Sequence, residues 1–355
     1  MMECRKRRAS PPPQLFCSKR LRLGSDCSGY NSGTLGAEAL SVPYVDVFAS
    51  DNNDKCREVL KFNFKDLNSG NVYHDCTRRD PNTVPGCDIY TAGFPCQSFS
   101  GEGLGAGESD PRGQVVWSVL KYIKVHLPSI FVLENVKALV DRHTDVFYRI
   151  FQAIADIRDA NTGKNIYFCT WKVINSRNYV AQSRHRVYIL GLKRPLRHPF
   201  QWPEPCAATV TLNASLSVDR GPADCELPSS KTGLANIEKS LKEIARDEKE
   251  GKKCKHYIVD LGSSTCRQVL YRDIAPCLTK TRCQANDYYL MSRGRRLTLA
   301  ELFRLQGVPA HRIRLPPGVK EAHLRGMIGN AWTVPVYAAI LRNALLSTGL
   351  ATVLF

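Results

Sequence analysis

Three times between residues 45 and 157, a short run of apolar and β-branched residues gives way to a stretch with helical periodicity. "VDVFAS" (45–50) precedes "DKCREVLKF", "CDIYTAGF" (87–94) precedes "QVVWSVLKYIKVH" (114–126), and "SIFVLENV" (129–136) precedes "DVFYRIFQAIADI". Two further strand-like runs, "YFCTWKVINSR" and "HRVYILGL", follow with polar chain between them. Strands alternating with helices make βαβ units, which build an α/β fold around a doubly wound, mainly parallel sheet. Such sheets bind ligands beyond the C-terminal ends of their strands. Asp51, Cys96 and Glu134 stand at or just past such ends, so three separate segments are expected to meet in one crevice.

The texture changes on either side of this block. Residues 1–22 hold "RKRR" (Arg5 to Arg8), "PPP" and "KRLR" (Lys19 to Arg22), and read as a basic, disordered arm. Two basic clusters about ten residues apart suit a bipartite nuclear-import signal or an arm touching nucleic-acid phosphates. Residues 23–193 form the first part of the main domain. From 194 the Pro-rich "KRPLRHPFQWPEPC" ends the alternation, and 194–290 reads as a smaller inserted domain containing an amphipathic helix over 234–250. Residues 291–355 return to the main domain, with a helix ending at Gly307, a turn at "IGNAW" and a final helix over 334–348.

The charge narrows the partner. With 50 basic and 33 acidic residues among 355, the chain carries a net +17, which suits a polyanion such as nucleic acid. No apolar run reaches the roughly 18 residues of a membrane span, and no secretory signal opens the chain, so a soluble intracellular monomer is expected. None of the 14 cysteines forms a C-x-x-C pair, and no structural metal is expected.

Cys96, in "TAGFPCQSFS", is by itself as readable as a buried thiol before a loose loop as it is as a nucleophile. Glu134 ends an apolar strand, where a carboxylate needs a task or a surface turn. A partly buried carboxyl has a raised pKa and makes a natural general acid. Arg184 and Arg186, two apart in "QSRHR", share one face of the strand starting there.

In combination these stretches are specific. "GFPCQSFS", "DPRG", "LENV", "QSRHRVYILG", "ELFRLQGVP" and "GNAWTVPV" occur in this order, and together they resemble the DNA (cytosine-5)-methyltransferase family from about residue 25 to 345. The resemblance implies a Rossmann-like methyltransferase sheet with a smaller target-recognition domain inserted before the last helices. It implies S-adenosylmethionine as cofactor and duplex DNA, with a cytosine flipped out of the stack, as partner. In the catalytic positions, Cys96 would attack carbon 6 of cytosine. Glu134 and Asn135 would hold the ring edge, Glu134 protonating ring nitrogen 3. Arg184 would contact the base carbonyl and orient Glu134, with Arg186 close by.

For the cofactor, Asp51 would bind the ribose hydroxyls beside Asn52, Asp75 would approach the adenine amino group, Phe94 and Pro95 would line the floor, and Asn330 would return the chain to the pocket. The first loop, "CSGYNSGTLG", departs from the family. Cys27 stands where an aromatic is expected, before Ser28, Gly29 and Gly33, and about five residues around "YNSGT" look inserted. Weaker cofactor binding than is typical follows from that loss of stacking.

On the nucleic-acid side, Gln97, Ser98, Ser100 and Arg112 flank the nucleophile, and Arg267, Lys280 and Arg282 are the recognition candidates. Two alternatives remain open at this stage. One is a transfer-RNA cytosine methyltransferase, although "FCT" (168–170) scrambles that branch's Cys-Phe-Thr and falls on an expected strand. The other is a catalytically weak nucleic-acid-binding regulator of the same fold.

Overall fold

Seven strands make the main sheet of the computed structural model, which describes residues 13–95, 114–205, 210–218 and 227–353. Two short strands at the chain ends, β1 (Leu15–Phe16) and β13 (Thr352–Val353), pair antiparallel outside it. The main-sheet strands are β2 (Leu21–Asp26), β3 (Tyr44–Ser50), β4 (Val72–Tyr73), β5 (Ile89–Ala92), β6 (Ile130–Val136), β7 (Tyr167–Asn175) and β8 (His185–Lys193). Their order is β4-β3-β2-β5-β6-β8-β7. The first five in that order run parallel, whereas β8 lies antiparallel between β6 and β7. The fold is therefore α/β and doubly wound, as expected, with one reversed strand, β8, next to the edge strand β7.

Period-two alternation assigns the faces. Ile130 and Val132 pack with Leu21, Ile89 and Leu190 beneath α1 (Ser32–Ala39) and α11 (Val334–Thr348). Phe131 and Leu133 point the other way, onto α3 (Val115–His126) and α5 (Thr144–Ala155), the latter preceded by the single-turn α4 (Ala138–Asp141). On the far flank α2 (Asp54–Asn63) starts where the Asn53 side chain accepts from Cys56 N at 3.1 Å.

The inserted region forms a second antiparallel sheet. It contains β9 (Tyr257–Asp260), β10 (Leu270–Arg272), β11 (Tyr288–Leu290) and β12 (Arg295–Arg296), in the order β10-β9-β11-β12. Helix α7 (Lys231–Lys249), capped by Ser230 on Gly233 N, covers it through Ile237 against Val259 and Leu270. The remaining helices are α6 (Leu212–Ser215), α8 (Lys280–Ala285), α9 (Leu299–Leu305) and α10 (Glu321–Asn330). Thr298 and Glu301 cap α9 reciprocally. Tyr30, Val59, Ile258, Cys283, Phe303 and Leu324 share one apolar cluster, so both sheets and the returning helices close on common ground.

Several expectations change here. Residues 13–22 are not a loose arm. Leu15, Cys17 and Leu21 are buried, Lys19 pairs with Asp88 at 2.8 Å, and Arg20 donates to Tyr44 O. The second basic cluster of the import reading is thus built into the sheet; Arg5 to Arg8 lie outside the described residues. No insertion bulges around "YNSGT": a five-residue connection, 27–31, joins β2 to α1, and Tyr30 packs edge-on against Phe64 and Phe303. Helix α10 runs on to Asn330, and the turn falls after it.

The boundaries of the smaller domain shift as well. Arg197 N bonds Ser347 O, and Leu196, Phe200 and Trp202 pack on the α11 cluster, so 194–202 belong with the main sheet; β12 carries the small sheet past residue 290. "FCT" lies within β7. Among the described residues no helix is long and apolar enough to cross a membrane.

Candidate active site

Past the C-terminal ends of β2, β3, β5 and β6 lies a cavity of about 580 Å³. Because β8 runs backwards, Arg184, just before it, and Arg186, near its start, reach the same edge. Helices α8 and α10 close the far side with Lys280, Gln284, His323 and Met327.

One half of the cavity is built on Asp51. Its carboxylate accepts from Gly29 N at 2.9 Å and from Asn53 N at 3.0 Å, which fixes it while leaving lone pairs for a diol. Burial pushes its pKa up, and these N–H donors oppose the shift. The β2–α1 loop beside it takes left-handed backbone at Cys27 (φ 52°), Gly29 (φ 51°) and Asn31 (φ 51°), two of them without the freedom of glycine. Hydrogen bonding to the Cys76 thiol, together with burial, drives the Cys27 thiol well above its ordinary pKa. Cys27 is thus a neutral, compact lining group and supplies no ring for stacking.

Ser28 bonds Ser25 Oγ at 2.6 Å, and Asn52 stands exposed at the rim. Gly33 lines the cavity where α1 crosses β5; a Cβ there would lie 2.6 Å from Thr91 Oγ1. Asp75 also lines it, its carboxylate accepting from Thr77 N and Oγ1 at 2.9 and 2.8 Å. Phe94 and Pro95 form floor, and Asn330 ends α10 at the opening.

Beneath this half runs a network that the sequence reading missed. Buried Asp26, at the end of β2, accepts from Tyr90 OH at 2.6 Å, Arg79 Nη2 at 2.9 Å and Ser50 Oγ. The Arg79 guanidinium sits over the rings of Phe48 and Tyr73, 5.4 and 5.3 Å from their centroids. Strands β2, β3 and β5 are thereby tied to one carboxylate. Its only signal in sequence is a charged residue closing the apolar "LRLGSD".

The other half is built on Glu134. Burial pushes this carboxyl above the usual carboxylate range, while the cations of Arg186 and Arg184 draw it back. Arg186 Nε lies 3.1 Å from Glu134 Oε1, and among the described residues no well-aligned hydrogen bond reaches that oxygen. Gly93 keeps the floor open, since a Cβ there would meet Trp332 Nε1 at 2.7 Å.

Two expected roles differ. Strand alternation turns Asn135 away from Glu134, and its Nδ2 donates to Phe94 O at 3.3 Å, holding the Phe94–Pro95 segment. Buried Arg184 donates to Leu278 O at 2.6 Å, Ala331 O at 3.0 Å and Gly329 O at 3.2 Å, pinning the inserted and returning segments to β8. It is Arg186 that reaches Glu134.

Cys96, Gln97, Ser98, Ser100 and Arg112 lie outside the described residues. Of the recognition candidates, Lys280 lines the cavity and Arg267 is exposed. Arg282 pairs with Asp260 at 3.1 Å and Asp287 at 3.5 Å, which makes it a brace of the small sheet instead of a free base reader.

A nucleotide-sized cavity at the carboxyl edge of a doubly wound sheet, with a reversed strand delivering arginines to a buried acid, defines a Rossmann-like methyltransferase. Solved structures agree on the fold. The Entamoeba histolytica methyltransferase EhMeth superposes with a TM-score of 0.64 at 14% identity, covering 92% of this chain and 98% of its own. The S. pombe Dnmt2 methyltransferase gives 0.60 at 16%, with the same coverage. In sequence, the type II methyltransferase M.NgoBI of Neisseria gonorrhoeae is 31% identical over 315 residues, 88% of this chain and 89% of that protein. The type II methyltransferase M.HaeII of Haemophilus aegyptius is 27% identical over 92% of this chain and 93% of its own length.

The family model for C-5 cytosine-specific DNA methylase matches residues 22–345, and the chain belongs to that family. It is a DNA cytosine-5 methyltransferase with S-adenosylmethionine as methyl donor.

Proposed function

We propose that the chain methylates a cytosine flipped out of duplex DNA, with Cys96 as nucleophile and Glu134 as acid. The observation that carries this reading is the buried Glu134, paired with Arg186, in the same cavity as Asp51 and Pro95, the residue directly before Cys96. Carbon 5 of cytosine is too weak a nucleophile to take a methyl group unaided. Addition of the Cys96 thiolate to carbon 6, with Glu134 protonating ring nitrogen 3, turns carbon 5 into an enamine-like centre. Asp51, Asp75 and the Cys27–Gly29 loop would hold S-adenosylmethionine, which would supply the electrophilic methyl. A base then removes the carbon 5 proton, the sulfur–carbon bond breaks, carbons 5 and 6 regain their double bond, and the nitrogen 3 proton returns to Glu134.

Asn135 holds the chain entering Cys96, and Arg186 orients Glu134. A carbon inside the base stack is out of reach, so flipping is required. Gln97, Ser98, Ser100 and Arg112 would meet DNA around the nucleophile; the unit over 203–296, with exposed Arg267, would read the target, and Lys280 would face the cleft. A nuclear location rests on Arg5 to Arg8 alone. The test is methyl transfer from labelled S-adenosylmethionine to duplex DNA and to transfer RNA, beside Cys96→Ala. Label entering DNA cytosine only with Cys96 intact supports the reading; label entering transfer RNA alone, or neither, refutes it.

A further inference from the structure

At the end of the sheet opposite the cavity is a second concavity, a groove of about 990 Å³ between the start of β7, the end of β8 and the segment after it. Along β8, Arg186 lines the cavity and Lys193 lines the groove, seven residues and so roughly 23 Å apart. The two share no lining residue.

The groove is strongly basic. Lys164, Lys193, Arg194, Arg197 and His198 line it, all exposed, and none forms an ion pair with a described residue. Its only carboxylate, Asp159, is turned into its own loop, accepting from Asn161 N at 3.1 Å, Thr162 N at 2.8 Å and Thr162 Oγ1 at 2.9 Å. No described residue forms an ion pair with the four lysine and arginine side chains. Keeping so many like charges together costs self-repulsion that an anionic ligand would relieve. The backbones that carry them are fixed: Lys193 N bonds Ser129 O, Arg194 N bonds Ile166 O and Arg197 N bonds Ser347 O. Arg194 lies over the Phe168 ring at 5.9 Å.

We infer that this groove binds the phosphodiester backbone of a second segment of nucleic acid, apart from the one in the catalytic cleft. The inference rests on the reading that DNA occupies that cleft. A long DNA held there keeps other segments of itself at high effective concentration, which makes it the polyanion most available to a groove on the same molecule. Each phosphate contacted releases counterions, so the contact is sequence-independent and salt-sensitive.

The test uses the full chain and the triple variant Lys164→Glu, Lys193→Glu, Arg197→Glu, whose side chains are exposed and outside the catalytic machinery. Affinity for a duplex of about 500 base pairs, several times the roughly 150-base-pair persistence length and so able to loop back from cleft to groove, is measured across a potassium chloride series, together with methyl transfer to a saturating 12-base-pair duplex containing the target. The expected result is at least tenfold weaker binding of the long duplex by the variant at low salt. Its slope of log affinity against log salt should be shallower by about three, with unchanged turnover on the short duplex.

Equal affinity and equal slope would overturn the groove site. So would displacement of the long duplex from neither protein by poly-glutamate that nevertheless binds only the wild type, which would assign the groove to an acidic protein segment. Failure of wild-type methylation on both duplexes would instead count against the catalytic reading, since binding is scored separately.

Discussion

Arg186 and Glu134 face each other across the β6–β8 pairing, Nε to Oε1 at 3.1 Å, in a register that sets Arg186 opposite Val136 and Glu134 opposite Tyr188. Opposed residues of antiparallel strands share a face, so the reversed direction of β8 is what brings the cation to the acid. Burial favours the protonated carboxyl and the arginine opposes it, which keeps the acid oriented and still able to give up a proton.

Replacing the acid by its amide removes the transferable proton while preserving shape. Glu134→Gln should retain the fold and lower methyl transfer by a factor on the order of 10² to 10⁴. Single-turnover rates and calorimetric titration with S-adenosylmethionine separate the two effects, with cofactor affinity expected to stay within about threefold.

The pH profile reports the pairing. In the proposed mechanism Glu134 acts protonated, so turnover should fall as pH rises through its pKa. Arg186 favours the carboxylate; removing it raises that pKa further, so Arg186→Gln should lower the maximal rate while moving the alkaline limb to higher pH. An unmoved limb would mean that Arg186 does not act on Glu134.

Arg184 should behave differently from Arg186, although the two are neighbours on one strand face. Arg184→Met removes a donor from three buried carbonyls, of which Ala331 O keeps Gln306 Nε2, and should destabilise the fold by about 3 kcal/mol or more in urea denaturation. Arg186→Met should destabilise less than Arg184→Met, because the carboxyl it leaves behind can take up a proton, while abolishing most activity.

Asp51 is fixed by two backbone donors and faces the cavity. Asp51→Ala should weaken S-adenosylmethionine binding by on the order of 10- to 100-fold, the worth of lost hydrogen bonds to a charged acceptor, as read by calorimetry.

Stability should carry the mark of Asp46, buried beneath α1 and held by Thr34 Oγ1. Desolvation raises its pKa to about 7, against hydrogen bonding from Thr34. The folded state therefore holds this proton longer than the unfolded chain. Stability falls as pH rises from about 4 to about 7, by no more than about 4 kcal/mol, and is level above that. Asp46→Asn should flatten this dependence in urea midpoints taken at pH 5 and pH 8.

The alternating strands and helices made the main sheet legible, because period-two and helical patterns are local. Glu134 and Asp51 were legible too, being charges placed where apolar strands stop. What was hidden depends on contacts distant in sequence. Nothing local says that Asp26 collects Arg79, Tyr90 and Ser50, or that Arg184 binds carbonyls of residues 278, 329 and 331. Lys19 to Arg22 looked like free charge because the partner of Lys19 is Asp88, 69 residues away. "YNSGT" looked inserted because Asn31 and Ser32 fill helix-start positions where a glycine run was expected.

The most direct test of the account is covalent capture. A duplex carrying 5-fluorocytosine at the target cannot lose a proton from carbon 5 after methylation, so a thiol adduct at carbon 6 persists. With S-adenosylmethionine present, wild-type protein should form a denaturant-resistant complex, mass spectrometry should locate the link at Cys96, and Cys96→Ala should form none. A complex that survives Cys96→Ala, or label transferred to DNA cytosine with no adduct at Cys96, would contradict it.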